Sequence, residues 1–215
     1  PKGGPCDWMT EEEIRFTRSQ YAGEVSFVDK WLGYLLDHIR ELGLMENSII
    51  FFLSDHGHPL GDHGAMLKMG DQLYSELLRI PLFVRFPDMR HAGKRVRGLV
   101  QVVDIFPTVL DILGHSNEAE FMHGKSFMPL VLGSADKIRD YVTMGFFSSE
   151  DRCIRDERWS FIRRPAGQAD ELYDLSEDVG ETRNLLKENP EKAKEMKDAL
   201  ARVFNIRMQK EHALQ

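Results

Sequence analysis

The sequence is poor in cysteine. Cys6 and Cys153 are the only two, far apart and without metal-ligand spacing, which excludes a disulfide framework and a cysteine metal knuckle and leaves at most one bridge. No Lys/Arg block stands out, and acidic residues outnumber basic ones, 35 to 28, for a net charge of -7. A nucleic-acid surface is therefore not expected. No apolar run reaches the roughly 18 residues of a membrane helix. No signal peptide, internal repeat or low-complexity tract is visible, and the chain opens on Pro1 rather than Met. It therefore reads as starting in the interior of a longer protein, and its compartment is not legible.

The 215 residues, 42% of them hydrophobic, can bury a sizeable core. Residues 1–9 are Gly/Pro-rich and read as a loop. Thr10 followed by Glu11, Glu12 and Glu13 is a helix start, with a hydroxyl cap and acids in the first turn. Tyr21, Val25, Val28, Leu32, Leu35, Leu36, Ile39 and Leu42 then recur at helical spacing, and Gly43 ends the helix. Ser48–Leu53 is a β-branched and aromatic run without polar alternation, expected to be a buried parallel strand. Ile80–Phe86 reads as a further strand and Val96–Val102 as a short one. Asp104 is expected to cap a helix running through Pro107 to Leu113 and closed by Gly114.

From about residue 137 the texture changes. Tyr141–Phe147, Arg152–Arg155, Trp159–Arg163 and Glu171–Leu175 predict an antiparallel meander. Asn189-Pro190 opens a last helix running to about Lys210. The expected fold is α/β: a partial parallel-sheet layer over residues 1–136, then a small α+β subdomain over 137–215.

The chemistry concentrates in residues 54–78, a polar stretch with four Gly and three His. Ser54-Asp55-His56-Gly57 follows directly on an apolar strand, and ligand sites of open α/β sheets lie just beyond the carboxyl ends of strands. On a regular strand Asp55 and His56 would point to opposite faces. A turn at Gly57 lets both converge on one ion, and a carboxylate with an imidazole suits a divalent metal. Lys68 offers a point charge for a tetrahedral anion. The bland reading of such a stretch is a solvated loop, and the strand-end placement with its glycines weighs against it. His63, between the pair and Lys68, is a candidate substrate-side residue, with a loop hydrogen bond the weightier role. His58 reads as exposed or substrate-side. Arg79 reads as a structural ion pair, and Arg152, Arg155, Arg158, Arg163 and Arg164 as a solvated strand face rather than a contact to the leaving group.

Ser54-Asp55-His56-Gly57, Leu60-Gly61-Asp62-His63-Gly64, Lys68 and Arg79-Ile80-Pro81-Leu82 together resemble the C-terminal signature of the sulfatase family within the alkaline phosphatase superfamily. Tyr21–Asp29 leading into Asn47–Ile50, Val103–Thr108 with Leu113-Gly114, and Leu172–Leu175 with Asp178, Gly180-Glu181 and Asn184-Leu185 extend the resemblance in order along the chain. It implies a metal-dependent sulfuric ester hydrolase acting on a small anionic ester, with a formylglycine nucleophile matured from Cys-x-Pro-x-Arg. By the resemblance, Asp55 and His56 are two metal ligands and Lys68 contacts the ester group.

Neither Cys6-Asp7-Trp8-Met9-Thr10 nor Cys153-Ile154-Arg155-Asp156-Glu157 fits the maturation motif. The nucleophile and two further metal carboxylates are therefore expected in an N-terminal half of the same enzyme, and this chain alone is expected to be inactive, with free sheet edges open to self-association into a homo-oligomer. The pair is Asp-His rather than Asp-Asn. Calcium prefers oxygen shells while imidazole suits manganese or zinc, and the Asp-His form in the family also serves phosphate and phosphonate ester hydrolysis. That chemistry is the nearest alternative. A non-catalytic binding module is a further one, which the presence of Asp55, His56 and Lys68 disfavours.

Overall fold

The computed structural model describes residues 3–213, with side chains described to residue 204. Pro1 and Lys2 of the expected opening loop lie outside the described residues. The chain divides into two compact units. The first takes in the chain to Gln72 and Glu76–Gly93. The second takes in Leu73–Ser75 and the chain from Lys94 on. No described helix is long and apolar enough to cross a membrane. Cys6 and Cys153 are both buried and free.

In the first unit the opening residues are not all loop: β1 (Gly4–Pro5) pairs antiparallel with a segment described below. Helix α1 (Glu11–Glu41) starts where its cap predicts. The Thr10 hydroxyl accepts from the Glu13 N–H, and the Glu13 carboxylate accepts from the Thr10 N–H at 2.8 Å. These reciprocal bonds satisfy two amide donors that would otherwise lack partners. The helix ends at Gly43, φ +66°. There Gly43 N–H reaches Arg40 O and Leu44 N–H reaches Ile39 O, a closure that needs a left-handed residue. No residue of α1 is buried.

Strand β2 (Ile50–Leu53) is followed by the site loop, whose short β3 (Ala65–Met66) takes β1 as its partner, Gly4 opposite Met66 and Pro5 opposite Ala65. A two-residue ladder at an edge tolerates Pro5, which has no N–H to give. A one-turn helix, α2 (Ser75–Leu78), leads to β4 (Leu82–Arg85). β4 pairs with β2 antiparallel, Ile50 opposite Arg85 and Leu53 opposite Leu82. This corrects the expected parallel pairing of Ser48–Leu53: all strand pairs among the described residues are antiparallel. An apolar run without alternation asks for cover on both faces, and that demand carries no information on the direction of the partner strand. The burial also differs, since Phe83 is 66% exposed and Phe52 is exposed beside it. The architecture remains mixed α/β.

In the second unit Val96–Val102 forms no strand. Gly98 at φ +121° breaks the extended run, with the Leu130 side chain 3.2 Å from where its Cβ would stand. Helix α3 (Ile105–Ile112) follows a 3-10 turn. Asp104 stands at the N-cap of α3 as expected, but its side chain makes no cap hydrogen bond. Its fully buried carboxylate accepts from Gln101 N–H, Lys125 N–H and the Arg139 guanidinium. Helix α4 (Met128–Leu132) packs Leu130 and Val131 inward.

The meander then forms as expected: β5 (Val142–Gly145), β6 (Arg152–Arg155), β7 (Trp159–Arg163) and β8 (Glu171–Asp174), in that spatial order. Helix α5 (Pro190–Ala213) lays Met196, Ala199 and Leu200 against Ile154, Phe161 and Leu172 to make the core. The expected boundary at 136/137 lies within the second unit. Gln101 Nε2 donates to Thr143 O at 2.8 Å and Lys125 Nζ to Ile138 O at 3.0 Å, tying the two sides of 136/137 together.

The arginines of the meander are not all solvated. Arg155 pairs with Glu181 at 2.7 Å, and Arg164 with Asp151 at 2.9 Å and Glu171 at 2.7 Å, all nearly buried. Charge on a strand reads as exposed until its partners, here 13 or more residues away for Asp151 and Glu181, are placed. Arg79 is exposed and makes no ion pair among the described residues.

Candidate functional site

Residues 54–68 leave β2 at its carboxyl end, within the first unit. The Asp55 side chain is 85% exposed. Its Oδ1 accepts from the His56 N–H at 2.9 Å. Its Oδ2 stands 3.5 Å from His56 Nε2. His56 Nδ1 lies 2.6 Å from Gly57 O. A carbonyl can only accept, so Nδ1 carries a proton, and Nε2 is the ring nitrogen that faces the Asp55 carboxylate.

Two atoms bound to one ion at about 2.0–2.2 Å stand roughly 3.0–3.5 Å apart when they subtend about 90–110° at it. The Nε2–Oδ2 separation therefore fits a shared divalent cation. A backbone carbonyl on the other imidazole nitrogen is the usual arrangement that fixes the tautomer of a ligating histidine. Among the described residues no cluster of three or more His, Cys, Asp or Glu could hold an ion.

Gly57 is required for a different reason from the one expected. It has no positive φ. A Cβ there would lie 2.0 Å from Glu76 O, and its N–H donates to Leu77 O at 2.7 Å. The chain just after His56 is thus seated against the backbone of α2, where no side chain fits.

The loop then folds back on itself. Gly61 N–H reaches Ala65 O at 2.8 Å and Leu67 N–H reaches Pro59 O at 3.0 Å. At the tip, His63 adopts φ 47°, ψ 31°, a left-handed conformation that costs an L-residue about 1 kcal/mol or more. Its Nδ1 is 2.7 Å from Glu76 Oε1. The weightier of the two expected roles, the loop hydrogen bond, thus has a partner: Glu76, 13 positions on, which sequence reasoning missed. Its only signal was an acid between Tyr74 and Arg79-Ile80-Pro81.

Helix α1 supports the same loop. Arg18 Nε donates to Leu60 O at 2.8 Å and its guanidinium stands 3.6 Å from Asp62. Tyr21 stacks on His58 with centroids 5.6 Å apart. Partial burial, then the neighbouring His56, lower the His58 pKa. Lys68 lies one residue beyond the fold-back, exposed and without an ion-pair partner among the described residues. The structure thus brings Asp55 and His56 together and puts His63 and Lys68 on the loop that continues from them.

Comparison with known proteins places these residues in context. A family model described as Sulfatase matches residues 9–115. Arylsulfatase K of Xenopus laevis is 29% identical over 211 residues, covering 92% of this chain and 39% of its own length. Choline-sulfatase of Rhizobium meliloti is 29% identical over 194 residues, 86% of this chain and 36% of its own. Among solved structures, the phosphonate monoester hydrolase of Agrobacterium radiobacter superposes with a TM-score of 0.78 at 26% identity, over 94% of this chain and 43% of that one. The chain spans about two fifths of the length of the curated relatives it matches.

Proposed function

The chain belongs to the sulfatase family, and on that premise we propose that it is the C-terminal part of a divalent-metal-dependent sulfuric ester hydrolase. The observation that carries the proposal is the 3.5 Å approach of His56 Nε2 to Asp55 Oδ2, with Nδ1 held on Gly57 O. Asp55 and His56 are the metal ligands this chain supplies. When bound, a divalent ion there would polarise the sulfuryl oxygens and favour charge developing in the transition state. The Gly57 carbonyl accepts from the imidazole Nδ1, which leaves Nε2 as the nitrogen available to ligate. Lys68, with no carboxylate partner among the described residues, draws the anionic head group and neutralises charge as the ester bond breaks. His63, oriented by Glu76, completes the substrate side of the loop.

The nucleophile and the remaining carboxylate ligands are assigned to an N-terminal portion, as no Cys here stands in the formylglycine motif. Two ligands fall short of the three or so that a catalytic centre usually draws from protein, so the 215-residue chain alone binds metal weakly and does not turn over. The metal is manganese or zinc rather than calcium, because the shell includes an imidazole. A second reading, hydrolysis of phosphonate or phosphate esters by the same residues, is favoured by the Asp-His pair and by the likeness to a phosphonate monoester hydrolase.

The test is a parallel assay of the full-length enzyme on an aryl sulfate and an aryl phosphonate monoester with manganese. Faster turnover of the sulfate, abolished by Asp55→Ala, is expected. Faster turnover of the phosphonate would select the second reading, and no metal-dependent turnover of either would overturn both.

A further inference from the structure

Glu76 touches the site loop at two separate places, and neither touch involves a metal ligand directly. Its backbone oxygen occupies the space beside Gly57, so close that any Cβ at 57 would sit 2.0 Å away. Its carboxylate reaches His63 Nδ1 at 2.7 Å, with the two side chains only 17% and 18% exposed. Between those points lies the fold-back closed by Gly61 N–H to Ala65 O and Leu67 N–H to Pro59 O. Gly57 follows His56 directly, His63 sits at the tip of the fold-back, and Lys68 comes one residue after it closes.

We propose that Glu76 is a positioning residue for the ester hydrolysis assigned above, acting through Gly57 on His56 and through His63 on Lys68. The inference rests on that functional reading. Surface loops of this polarity ordinarily fluctuate, and a polar pair withdrawn from water is a stronger restraint than an exposed one. His63 would not hold a left-handed conformation without compensation. The carboxylate on its ring supplies that compensation, so the two groups work as one clasp. Through the clasp a short helix sets the distance between the metal pair and the anion-contacting ammonium, a geometry in which an error of about 1 Å costs on the order of a hundredfold in rate.

The experiment is a double-mutant cycle in the full-length enzyme, with manganese and an aryl sulfate, each variant assayed well below its own melting temperature. Glu76→Ala and His63→Ala each lower kcat/KM by about ten- to a hundredfold, and the double variant is no worse than either single one, the mark of residues acting as a unit. Glu76→Gln keeps an oxygen for the His63 N–H and recovers most of the rate, which a role confined to net charge or stability would not produce. Glu76→Ala within about twofold of wild type, or losses that multiply in the double variant, would overturn the clasp. If Glu76→Ala does not fold, Glu76→Gln and His63→Gln decide: full activity in His63→Gln together with lost activity in Glu76→Gln contradicts the proposal. Wild-type enzyme without metal-dependent turnover would defeat the hydrolase reading itself, whereas an active wild type matched by Glu76→Ala defeats this inference alone.

Discussion

The two units differ in how they are held together. The second buries Ile154, Phe161, Ile162, Leu172 and Met196 almost completely and seals charge inside, Arg155 on Glu181 and Asp104 on Arg139. The first carries the candidate site, yet its longest element buries nothing, and Val25, Val28, Trp31, Tyr34 and Leu35 of α1 are all more than half exposed. The unit with the candidate site is the one with the smaller core of its own. A helix with a regular apolar stripe is stabilised chiefly by what covers that stripe, so substitutions of equal size should have very unequal effects in the two units.

The largest effect should come from the buried ion pair. Glu181→Ala leaves the Arg155 guanidinium enclosed without its counter-charge and also removes the acceptor for Ser75 N–H. A loss of about 3–5 kcal/mol in urea unfolding of the chain is expected, and a loss under 1 kcal/mol would show that the pair is wet. Leu172→Ala, at a fully buried position, should cost about 2–5 kcal/mol. Leu35→Ala on α1, 56% exposed, should change the stability of this chain by no more than about 0.5 kcal/mol. Equal losses at Leu172 and Leu35 would erase the contrast between the units. The contrast sharpens if Leu35→Ala is costly in the full-length enzyme and neutral in this chain.

Acid adds a smaller effect in the second unit. Asp174 accepts from Arg158 and from Ser176. Those bonds, that from Arg158 foremost, lower its pKa from 3.8 to about 2. Its folded-state pKa lies below the unfolded one, so its contribution is fully present above about pH 4 and is lost as the pH falls through about 2. Arg158 is more than half exposed, so solvent screens the pair and the step should be shallow. Asp174→Asn should flatten that part of the pH–stability curve; an unchanged curve would remove Asp174 as its source.

Much of this was legible in the residues. The Thr10 cap with its acidic first turn and Gly43 bound α1 correctly because capping is local chemistry, and the four meander strands are legible as short β-prone runs. Asp55, His56 and Lys68 are candidates rather than established site residues, picked because a strand end followed by Gly and His is a local pattern too. What failed was long-range. The direction of β2 depends on Leu82–Arg85 returning beside it. The burial of Arg155 and Arg164 depends on Glu181, Asp151 and Glu171, and the clasp on His63 depends on Glu76, 13 residues on. The sequence suggests Gly57 as a turn, whereas what the position requires, room for a carbonyl oxygen of α2 where a Cβ would stand, belongs to packing.

The central claim is that Asp55 and His56 hold a divalent cation, and its most direct test is metal content. Full-length wild type, Asp55→Ala and His56→Ala should be purified, loaded with manganese, desalted and analysed for metal by elemental analysis. The account predicts close to one ion per wild-type chain, little in either variant, and activity that falls with the metal. Unchanged metal stoichiometry in His56→Ala would contradict it.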